Sequence, residues 1–300
     1  MISRRGLLKL IGGGIVSMAA LGGYAFAVEP LARLNVTRYK LTPPNWTPGL
    51  KLRAVVLTDI HACEPWMPAS RIASICRQAN SLGGDITLLL GDYVASMNLV
   101  TSYVHSSEWS KALATLEAPL GVHAVMGNHD WWEDRTAQKN GGGPTFGHKA
   151  LQDVGINVYS NRAVRLEKEG QGFWIAGLED QLALVPGKKW QRKRMSGLDD
   201  LDGTLAQVSD TDPVILMAHE PDVFPRVPSR VALTLSGHTH GGQVRFLGYA
   251  PVVPSRFGER YAYGHVTEND CNLIVSGGLG CSLAPVRFGM PPEIVVIDLG

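Results

Sequence analysis

The sequence predicts an α/β sandwich with mixed sheets. Three observations lead there. Short apolar, β-rich runs alternate with helical stretches early in the chain. Strands dominate late. The runs are almost continuously apolar, which marks strands covered on both faces. Mixed strand and helix order of this kind argues against a pure doubly wound sheet.

In chain order, "LRAVVLT" (52–58) reads as a buried strand, and a helix follows over Ser70–Ser81. "DITLLL" (85–90) is the next strand, with a helix near Glu108–Glu117 after it. "GVHAVM" (121–126) is the third strand. "FWIAGL" (173–178), "PVILMA" (213–218), "VALTLS" (231–236), "NLIVSG" (272–277) and "EIVVIDL" (293–299) complete the series. No internal repeat or low-complexity tract interrupts it.

The first 28 residues read differently. A basic head, Arg4, Arg5 and Lys9, precedes a glycine-rich apolar run, and Ala25-Phe26-Ala27 offers a small-x-small cleavage pattern. This is signal-peptide architecture, and "SRRGLLK" is similar to a twin-arginine export motif. An uncleaved membrane anchor fits as well, because Leu7 to Val28 has the length of a bilayer span. Either reading puts the rest of the protein outside the cytoplasm, in the periplasm or on the outer face of the membrane. Residues 29–50, with the proline-rich "LTPPNWTPG", read as a linker, and residues 51–300 as the working domain.

Composition narrows the function. The chain of 300 residues is 45% hydrophobic and 18% charged, an ordinary globular balance. A net charge of +1 gives no support to non-specific nucleic-acid binding. The four cysteines show no C-x-x-C spacing, so they read as mostly buried thiols, and a cysteine-based zinc site is disfavoured.

The chemistry lies at the ends of the strands. Asp59-Ile60-His61 comes after the first, Gly91-Asp92 after the second, and Gly127-Asn128-His129-Asp130 after the third. His219 comes after "VILMA", and Gly237-His238-Thr239-His240 after "LTLS". Carboxyl ends of strands line one edge of an α/β sheet, where ligands bind. One edge therefore gathers three aspartates, one asparagine and five histidines. Unpaired charge buried in that number is costly, and a pair of divalent cations satisfies the set together. Imidazole with carboxylate and amide oxygen suits Mn²⁺, Fe²⁺/Fe³⁺, Zn²⁺ or Co²⁺, with Mn²⁺ favoured. Asp59 with His61, and His238 with His240, are expected to act as two-pronged clamps on extended segments. Gly91, Gly127 and Gly237 are expected to let the chain turn sharply.

In this combination and order the motifs resemble the calcineurin-like metallophosphoesterases, over roughly residues 50–299. "GHTHGGQV" and the tail from Ser276 look like an exported or membrane-anchored bacterial branch. The resemblance implies the fold, a four-layer α-β-β-α sandwich of the metallo-dependent phosphatase type. It implies that Asp59, His61 and His240 bind a first metal, that Asn128, His219 and His238 bind a second, and that Asp92 bridges them. It places His129 near the leaving group as the catalytic acid, with Asp130 behind it. The implied reaction is hydrolysis of a phosphodiester or pyrophosphate by a hydroxide bridging two metals, on a lipid-linked or cell-envelope phosphate. A phosphomonoesterase of the same fold, or a metal-binding envelope protein without turnover, are the alternatives.

Other residues carry weaker signals. Glu179 and Asp180 end another strand, Arg287 could approach a phosphate, and Trp66, Trp131 and Trp132 flank the edge. The basic run "GKKWQRKR" (187–194) reads as a solvated loop or as a patch for a membrane surface.

Overall fold

A computed structural model describes residues 3–186 and 194–300. In chain order the strands are β1 (Asn35–Leu41), β2 (Leu52–Leu57), β3 (Cys63–Glu64), β4 (Ile86–Leu89), β5 (Ser102–Tyr103), β6 (Val122–Ala124) and β7 (Asn157–Val158). They continue with β8 (Arg162–Lys168), β9 (Gln171–Gly177), β10 (Val214–Met217), β11 (Val231–Ser236), β12 (Gly264–Glu268), β13 (Cys271–Val275) and β14 (Glu293–Leu299). Sheet one has the order β1-β14-β2-β4-β6-β7, and sheet two the order β12-β13-β11-β10-β9-β8. Both are mixed. β14 runs antiparallel to β2, while β2, β4, β6 and β7 run parallel. In sheet two, β9, β10, β11 and β13 are parallel, and β8 and β12 are antiparallel edges. β3 and β5 form a small separate ribbon.

Alternation along each strand builds the layers. Ala54, Val56, Leu88, Ile215, Met217 and Ile297 pack into a core between the sheets. Their neighbours Val55, Leu57, Leu89 and Val296 face outward, against Ile72, Ile75, Trp109, Leu113 and Leu151. Trp174, Ala176, Val214 and Leu216 face outward from sheet two, against Leu201, Leu205, Val223 and Phe224. The result is helix, sheet, sheet, helix: the four-layer sandwich. The helix Ala69–Ser81 shows why its residues belong there. It buries Ile72, Ile75, Cys76 and Ala79, a single stripe at i, i+3, i+4 and i+7.

Residues 29–50, expected as a linker, contain β1, which pairs in register with β14 from Asn35↔Glu293 to Leu41↔Leu299. Its seven residues alternate between exposed and half-buried. An edge strand with one wet face needs no apolar run, so the sequence pattern there is weak. Residues 24–32 are also joined to the domain. Glu29 and Pro30 are buried, Arg287 N–H donates to the Ala25 carbonyl at 2.9 Å, and Met290 N–H donates to the Glu29 carboxylate at 2.6 Å. The helical run Arg4–Ala32 is long and apolar enough to cross a membrane. All four cysteines are buried free thiols. Of the basic run 187–194, residues 187–193 lie outside the described residues.

Candidate metal centre

β2, β4 and β6 of sheet one and β10 and β11 of sheet two end at a common rim, and all seven predicted ligands meet there. Each is buried: Asp59, His61, Asp92, Asn128, His219, His238 and His240 are at most 9% exposed. Backbone bonds stitch the rim together. Asp59 N–H donates to the Gly91 carbonyl and His61 N–H to the Asp92 carbonyl, both at 3.0 Å. Gly237 N–H donates to the His219 carbonyl at 3.0 Å. The Asp59 carboxylate accepts from His238 N–H, and so ties the two sheets at the site.

The ligands converge by a route other than the one expected. Asp59, His61, Asp92, His238 and His240 have φ of 53°, 48°, 57°, 67° and 51°. They are left-handed, not extended, so the side chains do not share a side by strand alternation. Left-handed backbone is uncommon in residues with a side chain, and clustering of this kind belongs to functional sites. Gly91 does supply a turn, at φ 97°. Gly127, at φ −113°, does not; it supplies space. A Cβ there would lie 2.3 Å from Asp92 Oδ1 and 2.8 Å from His219. At Gly237 it would lie 2.2 Å from Thr58 Oγ1 and 2.5 Å from Asp59 Oδ2.

Two of the ligand groups within the rim hold the expected residues, and another joins His129 to His61 and Asp92. Asp59, His61 and His240 bring their ligand atoms within 4.8 Å of one another, and so do Asp92, His219 and His238. His61 Nε2 is 3.0 Å from His240 Nε2, and His240 Nε2 is 3.5 Å from Asp59 Oδ1. Asn128 Oδ1 lies 2.8 Å from His238 Nδ1, joining the second group. Asp92 Oδ2 stands between the groups, 3.5 Å from His61 Nε2 and 3.2 Å from His219 Nε2. Outer partners fix two rings. His61 Nδ1 is held at 3.1 Å by the Val94 carbonyl and His219 Nδ1 at 2.6 Å by the Leu90 carbonyl. Each ring's Nε2 is thereby aimed inward, the arrangement expected of metal-binding imidazoles.

The electrostatics have the same sense at two of the rings, whereas at His219 burial is outweighed by Asp92, Asp59 and Glu220, which raise it well above the ordinary histidine value. Burial lowers His61 to about 3 and takes His240 well below the ordinary histidine value, so both rings are neutral and free to donate a lone pair. Burial, aided by Asp92 and opposed by His219, pushes Asp59 up to about 7. Burial also works against the charge on Asp92, but His219, His129 and His61 outweigh it and hold Asp92 well below the carboxylate range. His219 Nε2 is buried and, although near Asp92, has no partner in hydrogen-bond geometry. An orphaned nitrogen, facing imidazole nitrogens and two buried carboxylates fit divalent cations; the donor set contains no thiolate.

His129 sits beside this cluster, 7% exposed. Its Nδ1 is 2.7 Å from Ser96 Oγ and its Nε2 is 3.5 Å from Ser282 Oγ. Trp132 packs on its ring at 5.0 Å. Asp130 is the brace of the site. Its carboxylate accepts from four backbone N–H groups, those of Asp92, Gly127, Tyr93 and Val94, at 2.9–3.1 Å. It thus locks the loop after β4 to the loop after β6. Burial, with Asp92 adding to it, still pushes it to about 7.

The weaker sequence signals divide. Asp180 is buried and approaches His219 and Glu220, whereas Glu179 pairs with His148 at 3.3 Å. Arg287, fully buried, donates to the carbonyls of Gly277, Gly280 and Met290 and lies 3.3 Å from His240 Nδ1. It pins loops rather than opening onto solvent. Trp131 is core, and Trp66 donates to the Leu99 carbonyl. His105, His123, His148 and His265 belong to none of the grouped clusters. Sequence reasoning missed Ser96, Ser282 and Glu220. Glu220 had one available signal, its position directly after His219; the two serines had none.

A family described as calcineurin-like phosphoesterase matches residues 52–242. A Bacillus subtilis protein described as the uncharacterized metallophosphoesterase YkuE is 30% identical, over 99% of this chain and 98% of its own. The phosphodiesterase YaeI of Escherichia coli is 26% identical over 100% of both. A Danio rerio transmembrane protein with metallophosphoesterase domain is 28% identical over 99% of this chain and 63% of its own length. The chain belongs to the calcineurin-like phosphoesterase family, whose members hydrolyse phosphoesters with divalent metals.

Proposed function

We propose that this chain is a dinuclear metal-dependent phosphoesterase acting on a phosphodiester or pyrophosphate. Asp59, His61 and His240 would hold one cation, Asn128, His219 and His238 the other, and Asp92 both. The observation that carries the reading is the position of Asp92 Oδ2, between one imidazole of each group at 3.5 and 3.2 Å. Bound cations of this kind supply Lewis acidity, neutralising charge on phosphoryl oxygens and making water nucleophilic at neutral pH.

The chain's own residues do the rest. Asn128 offers an oxygen without adding charge, which keeps the centre positive toward an anionic ester. Asp130 fixes the loops that carry Asp92 and Asn128, so the donors need not reorganise during the reaction. His129 faces the cluster edge-on to His61, with ring centroids 5.0 Å apart, and gives its proton to the departing oxygen. Ser96 holds the ring through Nδ1 and leaves Nε2 as the acid. Trp132 excludes water from one side of that proton.

The N-terminal helix is proposed as a retained membrane anchor on an exported protein, with the catalytic domain as an extracytoplasmic unit. Support comes from the buried Ala25, whose carbonyl accepts from Arg287 N–H at 2.9 Å and which cutting after Ala27 would remove from the domain. The test of function is hydrolysis of bis(p-nitrophenyl) phosphate by the full chain with Mn²⁺. Turnover abolished by chelator and restored by Mn²⁺ is expected; metal binding without turnover would instead favour a binding protein.

A further inference from the structure

Near His240 the chain leaves the rim as a hairpin that has no role in the centre. Phe246 and Tyr249 exchange backbone hydrogen bonds at 2.8 and 2.9 Å, closing a two-residue turn on Leu247 and Gly248. Both central residues have positive φ, 50° and 87°. A turn of that kind prefers Asn-Gly, because a branched side chain is strained there. Here the strained position carries leucine, and that leucine is fully exposed. Phe246, Tyr249 and Val252 beside it are 57%, 63% and 68% exposed, and Leu283 on the adjoining loop is 84% exposed. Local conformational preference and water both disfavour this choice. A patch of this kind marks an interaction surface.

Its neighbours indicate its cover. The Phe246 ring lies 5.0 Å from Phe288, and Phe288 lies 6.2 Å from Tyr24 at the end of the apolar helix. Arg245 N–H donates to the Phe288 carbonyl, and Arg287 N–H to the Ala25 carbonyl. The hairpin is therefore fastened to the point where that helix leaves the domain. The helix itself exposes Leu10, Ile11, Ile15, Val16, Met18 and Leu21 by half or more. A helix apolar on all sides and free of the domain is suited to hydrocarbon.

We propose that the hairpin tip Phe246–Tyr249, with Leu283, inserts into the bilayer that receives the N-terminal helix. The metal centre is then held beside the lipid headgroups. Gln243, at the base of the hairpin, accepts from Ser282 N–H at 2.6 Å, and Ser282 Oγ lies 3.5 Å from His129 Nε2. The inserted surface and the leaving-group side of the centre thus share one face, and the substrate class narrows to phosphoesters presented at a membrane surface. This rests on the helix being retained as an anchor.

The test uses the full chain in phosphatidylethanolamine/phosphatidylglycerol vesicles containing doxyl-labelled lipids. Leu247→Cys, Met18→Cys and Glu169→Cys each carry an environment-sensitive fluorophore; the four native thiols are buried and stay unlabelled. The expected result is strong quenching at position 18 by deep doxyl groups, quenching at 247 by shallow ones, and none at 169, across the sandwich. Quenching at 18 but not at 247 overturns the hairpin alone. No quenching at 18 overturns the anchor and the hairpin together. A blue-shifted but unquenched label at 247 assigns the patch to a protein contact, a second copy included, and equally overturns the proposal. Leu247→Asn provides a substitution that the turn favours. It should reduce quenching of a Val252→Cys label while leaving hydrolysis of a soluble aryl phosphodiester unchanged; undiminished quenching contradicts insertion through Leu247.

Discussion

Sheet one brings Asp59, His61, Asp92, Asn128 and His129 to the centre, and sheet two brings His219, His238 and His240. The first set holds both aspartates, the amide and the proposed acid. The second consists of imidazoles alone. Negative charge is thus concentrated on one wall, with Asp92 standing between both groups, while the other wall offers imidazole nitrogens. The Asp59 carboxylate, bonded to His238 N–H, is the seam between them. This difference teaches that Asp92 fails differently from its neighbours. A lesion at Asp92 should empty the whole centre, and a lesion at a ligand of one group should empty half of it.

The largest effect is expected from Asp92→Asn. Metal analysis should show both cations weakened, and turnover should fall by more than the ~10²–10⁴-fold associated with losing a general acid. Two tightly held cations in that variant would break the comparison. Next is His238→Ala, on the opposite wall. Elemental analysis should find one equivalent of metal kept and one lost; loss of both would mean that the two sites are not independent. His129→Ala should keep both cations and still lose turnover by roughly 10²–10³-fold. The loss should be greatest for esters with poor leaving groups, and a uniform loss would remove His129 from proton transfer. The smallest effect is expected from Ser96→Ala, which removes the partner at 2.7 Å from His129 Nδ1. Turnover should fall by about tenfold, the low end for an outer partner. The alkaline limb of the pH–rate profile, where a general acid loses its proton, should move while KM stays constant. Ser96→Thr should restore the profile.

The rim was legible in the sequence because it breaks a pattern. Each apolar run stops at residues that no buried strand end needs, such as Gly91-Asp92 or Gly237-His238. Their types and order led to the family, and the four-layer arrangement came with that resemblance, while the almost continuously apolar runs marked β2, β9, β10 and β14 as strands covered on both faces. The backbone that makes them converge was not legible. Asp and His visit left-handed φ more readily than most residues, but their types do not single out Asp59, His61 and His240 for it; tertiary contacts impose it there. Gly127 and Gly237 were visible but given a turning role, when their need is for room beside Asp92 and Thr58. β1 was hidden because "NVTRYKL" is an edge strand with polar alternation, paired to a segment more than 250 residues away. The hairpin at Leu247 was hidden for the opposite reason. Its sequence, "RFLGY", resembles an ordinary short strand, and only its exposure in the fold makes it unusual.

The central claim is that one carboxylate is shared by two cation sites, each built from both sheets. Anomalous diffraction at the manganese edge, on crystals of the Mn²⁺-loaded protein, tests it most directly. Two peaks are expected, one against Asp59, His61 and His240, one against Asn128, His219 and His238, both in contact with Asp92. A single peak, or two peaks with Asp92 touching only one, would contradict the account.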